Sequence, residues 1–144
     1  MLNADRVFIV QPHPLYRATL LTATLEVKRY GIATAIDDFV NVRLDSMPQF
    51  SSKLANEDLI VLEDVNEADI ESIVKSNIIR DGSRSVIIKR LSDEKNNWVG
   101  NIIVGYTKPL KEVDVDLEES KALLTSNAMS IQYELPEYKT IEKE

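Results

Sequence analysis

The sequence predicts a three-layer α/β/α sandwich built around five parallel strands. Three observations support this fold class: short apolar runs rich in β-branched residues, helical spacing of apolar residues between those runs, and a regular alternation of the two along the chain. A chain of 144 residues is also long enough to bury one core without disulfides. We therefore expect one domain over residues 1–125 and a polar C-terminal tail or linker over residues 126–144.

The first half of the chain predicts two strands and two helices. Residues 6–10 form an apolar, β-branched run that is typical of a buried parallel strand. Residues 14–30 place leucine, alanine and valine at helical spacing, and they predict a long helix. Residues 32–36 predict a second strand. A weak helix over residues 39–44 then leads into a loop around Pro48.

The second half continues the same alternation. Three further strands are predicted at residues 59–62, 85–88 and 102–106. A helix is expected over residues 70–78, up to the turn at residues 81–82, and only a short or poorly formed helix over residues 91–100. Residues 112–124 predict the last helix, because their early carboxylates favour the positive end of the helix dipole.

Composition argues against several classes of function. The formal net charge is −7 and the basic residues are not concentrated in one segment, which disfavours direct binding of nucleic acid. One histidine and no cysteine form a poor ligand set for zinc or iron, so we predict no metal and no cofactor. The N-terminus does not resemble a signal peptide, and no apolar run is long enough to span a membrane. A cytoplasmic location is expected.

Parallel strands would bring their carboxyl ends to one edge of the sheet, where α/β proteins usually bind ligands. The residues at these predicted ends are Gln11, Pro12 and His13, then Asp37 and Asp38, Glu63 and Asp64, Lys89 and Arg90, and Thr107 and Lys108. No glycine-rich phosphate loop occurs there, so a nucleotide site has no support. A lone histidine at a helix start is typical of a capping or packing residue, and we assign His13 no catalytic role.

Three segments resemble the receiver domain of response regulators of the NarL type. They are residues 6–20 (RVFIVQPHPLYRATL), 58–65 (DLIVLEDV) and 106–110 (YTKPL), and the match spans roughly residues 6–124. In that family the matching segments hold an acidic pair followed by His-Pro-Leu, the phosphorylated aspartate, and a lysine followed by a proline. The resemblance implies a flavodoxin-like sheet with the strand order 2-1-3-4-5.

Most residues that carry receiver chemistry are replaced, so the resemblance implies a degenerate phosphorylation pocket. Gln11 and Pro12 stand where two carboxylates would hold Mg²⁺. Glu63 stands at the phosphorylated aspartate and Arg90 near the reporting hydroxyl, while Lys108 alone matches. We expect a phosphorylation-independent pseudo-receiver in two-component signalling or transcription control, without enzymatic activity, that acts through a protein partner or a homodimer. An ion pair of Glu63 with Lys108 or Arg90 would lock the pocket.

Two other interpretations remain open. In one, Asp64 accepts a phosphoryl group while Asp37 or Asp38 binds Mg²⁺, although solvated carboxylates in turns would have the same sequence. In the other, the chain is a structural assembly subunit.

A possible protein interface is formed by Trp98, Tyr106 and Leu110. The corresponding part of the receiver family is an exposed docking face. The same residues would equally well cap the core, and the sequence does not separate these alternatives.

Overall fold

The computed structural model describes residues 4–13, 20–29, 31–32 and 42–131, with side chains described up to residue 128. Within these ranges the chain forms one six-stranded sheet. Its strands are β1 (Arg6–Pro12), β2 (Leu20–Lys28), β3 (Val42–Arg43), β4 (Leu59–Leu62), β5 (Ser85–Ser92) and β6 (Trp98–Tyr106). They lie in the order β3-β2-β1-β6-β5-β4, and every neighbouring pair is antiparallel.

This sheet shows that the predicted five-stranded parallel sheet, with its order 2-1-3-4-5, is wrong. The prediction depended on continuous apolar runs, which are typical of parallel strands covered on both faces. Here both faces are covered as well: along β5, Val86 and Ile88 point to one side of the sheet, whereas Ile87 and Leu91 point to the other. Burial on both faces explains the apolar runs, and it carries no information about strand direction.

The turn between β5 and β6 shows how the chain reverses. Asp93 Oδ1 accepts hydrogen bonds of 2.9 Å from the backbone N–H groups of Lys95 and Asn97. Asn96 has a φ of 64°, a left-handed conformation that asparagine tolerates better than most residues. The short helix predicted over residues 91–100 is therefore wrong. A connection this short can join antiparallel neighbours but not parallel ones.

The long helix predicted over residues 14–30 is also wrong where the structure describes it, because Leu20–Lys28 form β2. The threonines and the valine of this segment are β-branched, which favours a strand. Its leucines and alanine satisfy the helical spacing as well, so periodicity alone was ambiguous. Pairing with β1 over residues 21–28, with one register shift between Ile9 and Val10, decides in favour of the strand. Residues 14–19 and 30 lie outside the described residues.

The remaining strand predictions are confirmed as strands at residues 6–10, 59–62, 85–88 and 102–106. The second predicted strand, residues 32–36, lies outside the described residues except for its first position, which is not in a strand. The weak helix predicted over residues 39–44 is wrong in its described part, because Val42–Arg43 form β3 and a 3-10 turn follows over Leu44–Ser46.

Three helices cover the sheet within the described ranges: α1 (Pro48–Asn56), α2 (Ser72–Arg80) and α3 (Leu117–Ile131). Helix α2 confirms the helix predicted over residues 70–78. Pro48, predicted in a loop, begins α1, where a missing N–H costs no hydrogen bond. Helix α3 continues past residue 125, and the proposed boundary of the tail stays a prediction. None of these helices has the length and apolar character needed to cross a bilayer.

The sheet has two faces with separate cores. We call the side covered by α1 and α2 the front face; its core includes Phe8, Val10, Phe50, Leu54, Val74 and Ile88. We call the side covered by α3 the back face; its core includes Ile9, Ile87, Leu91, Val104, Tyr106 and Leu124. The two cores alternate along each strand because successive side chains of a strand point to opposite faces.

Candidate functional site

The antiparallel sheet distributes the predicted pocket residues between its two ends. Gln11 and Pro12 end β1, and Arg90 lies at the same end of the sheet, where β1 and β5 both pair with the start of β6. Glu63 and Lys108 follow β4 and β6 at the opposite end. In an antiparallel sheet the carboxyl ends of neighbouring strands lie alternately at one end of the sheet and at the other. The five residues therefore do not surround one pocket, and Glu63 is not placed to pair with Arg90.

Three of these residues, Arg90, Glu63 and Lys108, make hydrogen bonds that hold parts of the fold together. The Arg90 guanidinium donates from Nε to the carbonyl oxygen of Ala55 at 2.6 Å and also to Asn96. The carbonyl oxygen of Glu63 accepts from the Leu110 N–H at 2.8 Å. The carbonyl oxygen of Lys108 accepts from the Ser85 hydroxyl at 2.8 Å. Each of these bonds joins two elements of the fold.

The other candidate residues also have defined places. Asp64 accepts from the N–H of Asn66 at 3.1 Å and pairs with Arg84 at 3.3 Å. Asp37 and Asp38 lie outside the described residues. Among the residues that are described, no group of three or more histidine, cysteine, aspartate or glutamate side chains could hold a metal ion.

The three predicted interface residues contact the cores of this chain. Tyr106 is 1% exposed and Leu110 is 6% exposed, and both belong to the back core. Trp98 packs against the front core, and its Nε1 donates to Asn101 Oδ1 at 2.8 Å. The side chains of Tyr106 and Leu110 therefore present little surface to another molecule.

The front face contains a cavity that sequence reasoning missed. Its volume is about 110 Å³. The walls are apolar and come from the sheet and from both front helices, with Phe8, Ala23, Phe50, Val74 and Ile78 among the lining residues. We call this space the front cavity. These residues belong to segments far apart in the chain, so no local pattern could have revealed it.

One end of the front cavity is polar, and we call it the mouth. Arg6 lies there with its side chain only 4% exposed, and its Nε is 3.2 Å from Oε2 of Glu26, which is 5% exposed. Nη1 of Arg6 donates to the carbonyl oxygen of Asp81 at 2.6 Å, and the guanidinium lies 5.6 Å from the centre of the Phe8 ring. A buried arginine needs such partners because desolvation of an isolated charge is costly.

Two further polar side chains lie at the mouth, and they differ from Arg6 in their hydrogen bonding. The amide of Asn77 and the hydroxyl of Ser83 line the front cavity, and neither side chain makes a hydrogen bond within the described part of the chain. A more open polar hollow adjoins this end, since Arg6, Arg80, Asp81 and Ser83 line both spaces. The mouth therefore offers hydrogen-bonding groups next to an apolar interior.

Helix α1, one wall of the front cavity, is anchored at both ends by side chains from other elements. The Glu71 carboxylate accepts from the N–H groups of Gln49 and Phe50, the latter at 3.0 Å. At the other end, Asn101 Nδ2 donates to the carbonyl oxygen of Leu54 at 3.0 Å, in addition to the bond from Arg90 to the next carbonyl. These bonds satisfy backbone groups that a helix leaves unpaired at its ends. The one sequence signal for this anchor is an asparagine, Asn101, within an apolar strand. In the structure its side chain is fully buried, and a buried polar group needs a hydrogen-bond partner.

No protein-family model and no curated protein matches this chain. Its fold is nevertheless that of GAF domains, as solved structures show. A phycocyanobilin-bound GAF domain from a cyanobacterial phytochrome is 16% identical with a TM-score of 0.63, over 90% of this chain and 75% of that one. A domain of a protein described as a two-component sensor histidine kinase, from Sinorhizobium meliloti, is 18% identical with a TM-score of 0.67, over 93% and 80%. A bacteriophytochrome from R. palustris is 11% identical with a TM-score of 0.70, over 92% and 30%.

These likenesses overturn the resemblance to a receiver domain. The response-regulator assignment and the pseudo-receiver function drawn from it are wrong, because GAF domains have an antiparallel sheet of the kind observed here. Each segment that carried the resemblance includes residues of an apolar strand. Both folds contain such segments, and the segments do not record which strands pair.

Proposed function

We propose that this chain is a sensory module that binds a small molecule in the front cavity and signals this binding to a protein partner. The observation that carries the proposal is the apolar space of about 110 Å³ with a polar mouth. Protein interiors are close-packed and contain few voids larger than a water molecule. An apolar hollow with a few hydrogen-bonding groups at one end is the usual form of a small-molecule site.

Two solved neighbours support a sensory role by analogy of fold alone. One is described as phycocyanobilin-bound and another as part of a sensor histidine kinase. This chain has no cysteine, so no ligand can be attached to it through a thioether. Pockets for drug-sized ligands have volumes of about 300–1,000 Å³. The smaller front cavity favours a small ligand that binds reversibly.

We propose that the module does no chemistry on its ligand. No histidine, cysteine or lysine is found among the described residues that line the front cavity. The Asp81 carboxylate does line it, but it lies 3.9 Å from Nε of Arg80, and the nearby Glu26 carboxylate is paired with Arg6. The Ser83 hydroxyl makes no hydrogen bond to a base among the described residues. General acid–base or nucleophilic catalysis needs a group that is positioned and available for proton transfer or attack.

The recipient of the signal in this proposal is a protein partner or a second copy of the chain. Leu25 and Val27 on β2 are 41% and 58% exposed and lie on the back face, since they pair with Ile9 and Val7. Apolar side chains grouped on a surface are common at protein interfaces. A cytoplasmic location is also part of the proposal, because a chain without cysteine suits a reducing compartment.

A fragment screen on the whole chain tests the ligand-binding proposal. We expect that at least one compound with about six non-hydrogen atoms, the size of benzene, shifts the backbone amide signals of Ala23, Val74 and Ile78 in NMR spectra. At a concentration one hundred times its dissociation constant, it should raise the free energy of unfolding by about 2.7 kcal/mol.

Ala23→Leu is the matched control, because the larger side chain would occupy the front cavity from its wall. The variant should remain folded by circular dichroism and lose the ligand-induced shifts. Absence of any hit at these amides, or equal binding by the variant, would contradict the proposal.

A further inference from the structure

We infer that the ligand of the front cavity is a small uncharged amphiphile, with an apolar body and one hydroxyl or amide group that binds at the mouth. This inference rests on the proposed function and adds the chemical class of the ligand. Three observations carry it. They are the volume of the front cavity, the pairing of the charges at the mouth, and the two polar side chains that face the mouth and make no hydrogen bond with the described residues.

The volume sets the size of the apolar body. An engineered cavity of about 150 Å³ with aliphatic and aromatic walls binds benzene in another protein. The front cavity, at about 110 Å³, is somewhat smaller and has walls of the same kind, such as Phe8, Val10 and Val74. A ring or branched chain of about five carbon atoms therefore fits. A polar group placed against these walls would lose its hydrogen bonds to water, so the head of the ligand must lie at the mouth.

Among the residues that the structure describes, the charges at the mouth cancel. Arg6 is paired with Glu26 at 3.2 Å, and Nε of Arg80 lies 3.9 Å from Oδ1 of Asp81. The side chains of Arg6, Glu26 and Asp81 are all less than a tenth exposed. A charged head would be desolvated here without a free counterion, which disfavours both carboxylates and ammonium ions. An uncharged head leaves both ion pairs intact.

The Asn77 amide and the Ser83 hydroxyl suit an uncharged head. Each of these groups can donate and accept, so a hydroxyl or amide of the ligand can satisfy both roles. Gly105 keeps this corner open, because a Cβ built at that position would lie 2.7 Å from Oγ of Ser83. The space beside the Ser83 hydroxyl is thus preserved by a residue without a side chain.

Titration of the whole chain with four compounds tests the inference: cyclopentanol, cyclopentane, cyclopentylammonium and cyclobutanecarboxylate. Amide signals of the front cavity measured by NMR at neutral pH report binding. We expect cyclopentanol to bind at least about tenfold more tightly than either ion. It should bind about four- to a hundredfold more tightly than cyclopentane, because two neutral hydrogen bonds contribute about two- to tenfold each.

Ser83→Ala and Asn77→Ala separate the head from the body of the ligand. Each should weaken cyclopentanol by about two- to tenfold and leave cyclopentane unchanged. Tighter binding of either ion, or cyclopentanol binding that both variants leave unchanged, would overturn the inference while the proposed function stands. If none of the four compounds and no screened fragment shifts the cavity amides, both proposals fail together.

Discussion

The two faces of one sheet have different interiors. On the back face, Ile87, Leu91 and Val104 are fully buried beneath α3. On the front face, α1 and α2 stand over strands of similar composition and leave the front cavity between them. The alternating side chains of β1, β5 and β6 supply both cores. The difference teaches that a sheet buried on both sides can carry a filled core on one face and leave a cavity on the other.

The largest expected effect comes from enlarging one buried alanine on each face. Ala128→Leu, on α3, should lower the free energy of unfolding by about 1–3 kcal/mol, because overpacking a filled core strains it. Ala23→Leu should raise it by about 0.5–2 kcal/mol, because the added carbons fill existing space. Both residues are about equally buried, at 3% and 5% exposure, so the pair is matched. Urea unfolding measures both values, and equal losses in the two variants would remove the contrast between the faces.

A smaller effect is expected at the anchor of α1. Glu71→Ala removes the carboxylate that caps α1 from another segment, and should cost about 1 kcal/mol. Hydrogen exchange should quicken in α1 more than in α3. Glu118→Ala is the back-face control: its carboxylate also lies in a helix's first turn but is 84% exposed, and we expect a change within about 0.5 kcal/mol. Equal losses of unfolding free energy in the two variants would show that the Glu71 contacts do not hold α1 in place.

The smallest effect appears only in alkaline solution and belongs to the back face. Burial raises the pKa of the Tyr106 phenol; the neighbouring Ser120 hydroxyl lowers it to a lesser extent, and the Asp5 carboxylate raises it. The folded state therefore keeps this proton to higher pH than the unfolded state, whose pKa is about 10. The resulting stability is fully present below about pH 10 and is lost as the pH rises through the folded-state pKa.

Tyr106→Phe tests this assignment because it removes the titrating group and keeps the ring. Urea unfolding measured from about pH 8 to pH 11 should show a shallower alkaline loss in the variant than in the parent chain. Identical slopes would mean that the phenol does not contribute to alkaline unfolding.

Sequence reasoning recovered those parts of the fold that depend on local pattern. The strands at residues 59–62 and 85–88 and the helix that became α2 were found because burial on one or both sides leaves apolar residues at a characteristic spacing. It failed at β2, where a helical and an extended period fit the same residues. The second failure, at the turn after β5, came from interpreting an asparagine-rich connection as a helix.

The candidate site was less accessible to sequence reasoning than the fold. The predicted pocket assumed that the carboxyl ends of all strands meet, and the antiparallel order separates Glu63 from Arg90 instead. The front cavity involves Arg6 and Ala23 near one end of the chain and Asn77 and Ser83 in its middle. A polar or small residue at any one of these positions is common in proteins, so none of them indicates a cavity by itself.

By itself, the sequence determined which segments bury their side chains, that apolar packing without disulfides must hold the chain, and that cysteine chemistry is not available to it. The tertiary structure alone decided the direction of the strands, the pairing of β1 with β6 and the space left between the sheet and its front helices. The physical reason is the distance along the chain over which each property is decided. Periodicity reports the environment of each residue along the chain, whereas strand direction and cavities depend on which distant segments meet.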